Sequence, residues 1–320
     1  MRVSGRVLAV MLFLFIVAEL VILTPRTEST RDDLPQVSSQ AETVEEQWMV
    51  GAQVIETQDG QKKWELRARE ATGVKSLETW KLRNLEAVFF DEESRERFRM
   101  KGDEGRVDGK SKNMKVFGNV ILDSVNGYRL ETTKADYNSE DGTLLGEDPL
   151  TMKARDQKSL EIRGIGFRGT IKGGHVDILK DVNVRRLLAD GRTLIIRSRQ
   201  ARFNGKDHSA NFSGEVVLDF GSSRVQGPEA RFEYNPKTDE VEVVEVEGGV
   251  RLVDIDKWAT SHRFRMNLKT GAFSLKGSPR LVQEKDELRG EEILFFDGGK
   301  RIQVRGAKAD LDSSKDGNGL

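Results

Sequence analysis

The chain of 320 residues contains no cysteine. That absence excludes disulfides, thiolate zinc sites, iron–sulfur clusters, cysteine nucleophiles and a lipidated N-terminal cysteine. An excess of either charge is missing too: 52 Lys plus Arg stand against 53 Asp plus Glu, a net charge of -1. No overall basic field is present to draw nucleic acid, so no nucleic-acid partner is expected. Yet charged residues make up 33%, above the roughly 25% of an ordinary domain. With 37% apolar residues and 31 Gly, the composition is that of a folded chain, neither disordered nor collagenous.

Signatures of chemistry are equally scarce. No G-x-S-x-G elbow occurs. The run Gly164-Ile165-Gly166-Phe167-Arg168-Gly169 matches G-x-G-x-x-G, but Thr170-Ile171-Lys172-Gly173-Gly174 follows it. That segment is no helix, so nothing there would hold a pyrophosphate; the glycines are expected to serve a turn between repeats. His175, His208 and His262 lack close spacing and read as surface residues rather than metal ligands. Asp91-Glu92-Glu93 and Glu284-Lys285-Asp286-Glu287 read as turn and edge charges that block unwanted strand pairing. The expectation is a protein without cofactor or metal, and not an enzyme.

Long apolar runs are limited to one. Residues 7–23, from Val7 through Leu14 to Leu23, carry a single charge, Glu19. As a helix this segment spans roughly 25 Å, the short end of what crosses a bilayer. Arg2 and Arg6 precede it, which puts the N-terminus in the cytoplasm and everything after Leu23 outside. The alternative is a cleaved signal peptide, but the run exceeds a usual h-region and Leu23-Thr24-Pro25 is not a small-x-small cleavage site. Residues 1–23 are therefore predicted to form an uncleaved single-pass anchor. Glu19 has two readings, a carboxylate reaching the interface or a contact with a partner helix. Residues 24–47, rich in Thr, Ser, Glu, Gln and Pro, read as a flexible spacer, and 312–320 as a frayed tail.

Between these flanks helical periodicity is rare and alternation is common, as in Arg97-Phe98-Arg99-Met100-Lys101 and Arg301-Ile302-Gln303-Val304-Arg305. Period 2 puts apolar side chains on one face and charges on the other. Asp-Gly or Asn-Gly dipeptides at 59–60, 108–109, 126–127, 141–142, 190–191, 204–205 and 297–298 are hairpin-turn signals. The fold class is all-β.

A longer period lies above the alternation. One marker recurs with its third residue at Val107, Tyr137, Phe167, Phe203, Phe232, Phe264 and Leu294. A second interleaves with it: Gly118-Asn119-Val120, Asp148-Pro149-Leu150, Asp181-Val182, Gly214-Glu215-Val216, Gly248-Gly249-Val250 and Gly277-Ser278-Pro279. A repeat of about 30 residues with two turns predicts short strand pairs stacked along an axis. Periodicity alone is compatible with a β-solenoid, a parallel β-helix or an elongated jelly roll.

From Trp48 to Met152 the sequence resembles a known family. Trp64-Glu65-Leu66-Arg67-Ala68 and Leu82-Arg83-Asn84-Leu85-Glu86-Ala87 are similar to the opening of the LptC lipopolysaccharide export proteins. Gly118-Asn119-Val120-Ile121-Leu122, Gly127-Tyr128-Arg129-Leu130-Glu131-Thr132 and Ala135-Asp136-Tyr137 resemble that family's most recognisable block. Leu144-Leu145-Gly146 and Pro149-Leu150-Thr151-Met152 close it. From about 160 onward, Ala201-Arg202-Phe203, Gly214-Glu215-Val216 and Gly290-Glu291-Glu292-Ile293 resemble, more loosely, the OstA-like units of the LptA bridge proteins. The chain carries nearly two such units where an LptC carries one. The predicted organisation is therefore an LptC-like jelly roll at 48–155 and a second OstA-like repeat region at 156–311.

The resemblance implies an elongated, twisted, open β-jelly roll behind one transmembrane helix. It implies an inner-membrane anchor, a periplasmic body, and an interior that holds lipopolysaccharide acyl chains. The implied partners are lipopolysaccharide, the permease subunits of an ABC transporter, and an LptA-like bridge protein joined by strand addition. A lipid crossing water must hide its chains at about 0.8 kcal/mol per CH₂, which an apolar trough does. Expected interior, lipid-facing positions are Leu66, Val88, Phe98, Met100, Val107, Val116, Val120, Leu122, Tyr128, Leu130, Tyr137, Leu144, Leu150 and Met152. Arg185-Arg186 and Arg197-Ser198-Arg199 meet lipid phosphates at a groove rim or form a solvated outer face. Two competing functions stay open: a membrane-anchored scaffold for protein contacts, and a β-helical enzyme acting on polysaccharide.

Overall fold

The computed structural model describes residues 46–310 apart from 59, 75–77, 155–159, 189–190, 239 and 297–298. The expected anchor positions Val7, Leu14, Glu19 and Leu23, most of the spacer, and the tail lie outside the described residues. The remainder is strand and turn. The first nine strands are β1 (Glu46–Gln58), β2 (Gln61–Val74), β3 (Thr79–Phe90), β4 (Glu96–Asp108), β5 (Met114–Ser124), β6 (Tyr128–Asn138), β7 (Thr143–Ala154), β8 (Leu160–Thr170) and β9 (His175–Leu187). There follow β10 (Thr193–Ser198), β11 (Gln200–Asn204), β12 (Ser209–Phe220), β13 (Ser223–Tyr234), β14 (Val241–Val253) and β15 (Lys257–Asn267). The last six are β16 (Phe273–Lys276), β17 (Arg280–Gln283), β18 (Asp286–Arg289), β19 (Glu292–Phe296), β20 (Arg301–Arg305) and β21 (Lys308–Asp310).

Every pairing is antiparallel and nearly every one joins neighbours in sequence. Strands β1 to β9 pair each with the next. β10 and β11 are two pieces of one strand, since both pair with β9 on one side and β12 on the other. β12 to β15 continue the series. β16 with β17, β18 with β19, and β20 with β21 are again broken strands. The sheet does not stop between the two expected regions. β7 pairs with β8 from Thr143↔Thr170 to Lys153↔Glu161, directly across the boundary placed at 155–156.

The 30-residue period is therefore one hairpin of two long strands, not a pair of short ones. Turns at Asp108-Gly109, Asn126-Gly127, Asp141-Gly142 and Asn204-Gly205 reverse the chain as expected. The second marker does something different from turning. It falls inside β5, β7, β9, β12 and β14, and at the break between β16 and β17. The ladder register shifts there, for example at Phe117/Val120, Ser213/Val216 and Glu247/Val250. Gly118 and Asn119 take φ of +72° and +45°, left-handed values that Gly adopts freely and Asn tolerates. These are β-bulges, which insert an unpaired residue and bend the strand. The G-x-G-x-x-G run is corrected in the same way: it lies within β8, at the register shift between Arg163 and Ile165, not in a turn. Its sharpest constraint is Gly164, where a Cβ would land on Ile178.

Beside the register shifts, three buried hydroxyls donate to main-chain carbonyls. Thr132 Oγ1 donates to the Pro149 carbonyl at 3.0 Å, Ser198 Oγ to Gln200 at 2.8 Å and Ser261 Oγ to Arg263 at 3.1 Å. Folded over on these bends, the sheet encloses one hydrophobic cluster reaching from Trp64 to Phe295. Aromatic rings fill it: Phe89 against Tyr137 at 4.7 Å, Phe212 between Phe203 and Phe232, and Phe273 stacked on Phe295 at 4.2 Å.

Candidate functional site

Thirteen of the fourteen expected interior residues face the inside of the folded sheet. Leu66, Met100, Val107, Val116, Val120, Tyr137 and Leu150 are buried in packed core. Phe98, Leu122, Tyr128, Leu130, Leu144 and Met152 instead line a cavity of about 470 Å³. Val88 is the exception. It alternates with buried Ala87 and Phe89 and sits opposite Arg99 and Glu65, on the charged outer face. Parity along β3 decides this: the neighbours of Val88 took the inner positions, so its apolar side chain was left on the outer face.

The cavity is assembled from distant parts of the chain. One wall comes from the ends of β4 to β8 near Phe98, Leu122, Tyr128, Met152 and Ile162. A second part of the lining comes from β8, β9, β11 and β13, through Phe167, Val176, Phe203 and Tyr234. Sequence reasoning missed this second wall because it confined the interior to residues before 155. The repeat marker carried a usable signal, since Phe167 and Phe203 are two of its third positions. That marker also slips once: Leu294 faces outward between buried Ile293 and Phe295.

Turns between these strands also meet. Lys172, in the β8–β9 turn, pairs with Glu92 of the β3–β4 turn at 2.7 Å. The Lys172 hydrogen bond holds the Glu92 carboxyl below its ordinary value. Asn126, in the β5–β6 turn, lies against Gly205 of the β11–β12 turn. Of the basic runs, Arg197 pairs with Asp219 and Arg199 with Glu215 on the outer face, while Arg185 is exposed. Arg186 alone points inward. It is buried, lines the cavity and lies over the Tyr234 ring, 5.5 Å from its centroid. Two of the three histidines also belong to the cavity: His175 is half-buried there and His208 is exposed at its mouth, so the surface reading holds for His208 and His262 but not fully for His175.

Elsewhere the titratable groups serve structure. Asp177 accepts two hydrogen bonds from Arg202 at 2.6 and 2.8 Å, which pull its carboxyl below the usual range. Burial pushes the Tyr137 phenol up, against an opposing hydrogen bond with Ser139. Among the described residues no group of three His, Asp or Glu side chains could hold a metal ion.

An antiparallel sheet bent at stacked bulges around one apolar interior defines a β-jelly roll. The chain belongs to the LptC-related family of lipopolysaccharide-assembly proteins, whose model matches residues 10–187. A second model, the LptA/(LptD N-terminal domain) LPS transport protein, matches residues 195–297. The protein is thus a component of lipopolysaccharide transport, and both families are transport families rather than enzyme families. No curated protein matches the chain. Among solved structures it is similar to LptH from Pseudomonas aeruginosa, the LptA homologous periplasmic component of the conserved lipopolysaccharide transport device. That likeness has 15% identity and a TM-score of 0.34, and covers 37% of this chain and 94% of LptH.

Proposed function

We propose that this chain is a single-pass inner-membrane protein with its sheet in the periplasm. It receives lipopolysaccharide from the permease subunits of an ABC transporter and passes it to an LptA-like bridge protein. Residues 7–23 are the anchor. The observation that carries the reading is the apolar interior, continuous from Trp64 to Phe295 and opening into a cavity of about 470 Å³. That volume falls within the 300–1,000 Å³ typical of ligand sites. Acyl chains that enter it leave water at a gain of about 0.8 kcal/mol per CH₂. No covalent step is needed, and ATP is consumed by the cytoplasmic partner.

Handover occurs by strand addition at open sheet edges. Among the described residues β1 pairs only with β2, and its Trp48, Val50 and Ile55 are exposed, which also suits a purely protein-binding scaffold. The two readings separate at the cavity, which a scaffold does not use. Photo-crosslinkers at Tyr128, Leu130 or Met152 should capture lipopolysaccharide in cells with an active transporter, and one at Val88 should not. Absence of lipid adducts at all three cavity positions would overturn the transport path.

A further inference from the structure

We infer that the sheet carries a side gate to the cavity. The β3–β4 and β5–β6 turns form its moving leaf, the β8–β9 and β11–β12 turns its fixed post, and the Glu92–Lys172 ion pair its latch. The inference rests on the lipid-carrying reading above and adds to it the place where an amphiphile enters.

Successive antiparallel strands put their turns alternately at the two ends of the strands. At one end, hydrogen bonds join each turn to the next. Gly109 N–H donates to the Glu78 carbonyl at 2.6 Å, Ser139 N–H to Asn113 Oδ1 at 2.8 Å and Ile171 N–H to the Gly142 carbonyl at 3.1 Å. Gly205 N–H donates to the Gly174 carbonyl at 2.9 Å, and Tyr234 N–H to that of His208 at 2.8 Å. The Lys206 ammonium adds a bond to the Lys172 carbonyl at 3.1 Å. These bonds carry the ladders past the strand ends, so the turns at this end hold one another in place.

The β3–β4 turn, at the other end, is bonded to itself instead. Asp91 N–H donates to the Arg95 carbonyl at 2.9 Å and Ser94 N–H to the Asp91 carbonyl at 3.1 Å. The Arg95 guanidinium pairs with Asp91 at 3.0 Å and with Glu93 at 2.8 Å. Among the described residues, no main-chain bond joins residues 91–95 to another turn. A tip built in this way moves with its own hairpin and breaks no main-chain bond to a neighbour.

The two ends come together at the cavity. Lys172 reaches across to Glu92 at 2.7 Å, and the Asn126 side chain lies against Gly205. Residues 124–127 line the cavity from one end, and Gly174, Asn204 and Gly205 from the other. An amphiphile whose head stays in water cannot thread that head through a packed apolar interior. Its chain has to enter sideways, between the turns that meet here, so these turns must part. Glu92 and Lys172 are both exposed, and an exposed ion pair is weak and screened by salt. The pair holds the gate shut without locking it.

The absence of native cysteine makes the gate lockable. Gly205 has no left-handed φ, and a Cβ there would lie 3.5 Å from Asn126 Nδ2, so Asn126→Cys with Gly205→Cys places two thiols across the two ends. The probe is a dodecyl chain with a diazirine near its end and a polyethylene glycol head, added to the full chain in nanodiscs. Labelled peptides from β6 and β7 are quantified by mass spectrometry. The oxidised form should label at least about tenfold more slowly than the same chain after reduction. Glu92→Cys with Lys172→Cys, joined by a reducible thiol-reactive cross-linker, provides the same lock at exposed positions if the first pair does not fold or does not close. Without any cysteine, Glu92→Gln should label about two- to fivefold faster than the unaltered chain, the worth of one exposed ion pair. Glu92→Lys with Lys172→Glu should restore the original rate. High salt should speed labelling of the unaltered chain and leave Glu92→Gln as it was. Equal labelling of the locked and reduced forms would overturn the gate and leave the lipid path standing. A rate unchanged by Glu92→Gln would overturn the latch. Failure of the unaltered chain to label would overturn the gate and the lipid path together.

Discussion

Val88 and Leu294 both occupy the outer face of a strand whose apolar run continues on both sides of them. In Val88-Phe89-Phe90 and Ile293-Leu294-Phe295-Phe296 every residue is apolar, so alternation no longer says which parity points inward. Only packing decides, and it chose Phe89, Ile293 and Phe295. Charge at the residue scale has an equally local cause. The Arg280 guanidinium, with Arg289 beside it, holds the Glu287 carboxyl at about 2 against an ordinary value of 4.5. A carboxyl with a depressed folded-state pKa stabilises the fold fully above its unfolded value and loses that contribution as pH falls through the folded one. Urea unfolding of Glu287→Gln should therefore show a deficit at neutral pH that shrinks between pH 4.5 and about 2. A deficit unchanged across that window would show that the two arginines do not stabilise Glu287 through its charge.

At the scale of the element, the strands owe their length to alternation and their bends to glycine. Gly146 illustrates the second point: a Cβ there would strike the Phe167 ring, so the β7 bend and the β8 aromatic occupy one space. Asn-Gly and Asp-Gly were legible as turns because their conformational preference is a property of two residues. The bulges carry similar glycines but occur within paired strands, and a dipeptide alone does not distinguish a bend from a reversal. β1 is the other element with a consequence. Its Trp48, Val50 and Ile55 are exposed along an edge that, among the described residues, pairs on one side only. Val50→Lys with Ile55→Lys should prevent strand addition and abolish co-purification with the partner that docks there. Stability should change little, since exposed substitutions cost within about 0.5 kcal/mol each. Undiminished co-purification would move the docking edge to β20 and β21.

At the scale of the whole molecule, the described sheet is one object across residue 155. β8 covers the edge of β7, and residues beyond 160 supply the second wall of the cavity. A chain ended at residue 155 should expose β7, and its Thr143–Ala154 amides should exchange with solvent at least about tenfold faster than in the full chain. Unchanged protection of β7 would mean that the first region holds its edge without the second. The sequence by itself determined the all-β class, the hairpin turns, the 30-residue period and thirteen inward-facing residues. Each of these follows from neighbours within a few positions, through strand parity, turn conformation and the pairing of adjacent strands. Only the tertiary structure decided that six of those residues line a cavity, that Arg186 faces inward, and that Phe98 and Tyr128 share a space with Phe203 and Tyr234. Those contacts depend on the summed effect of every bend between them, and no short stretch of sequence contains that sum.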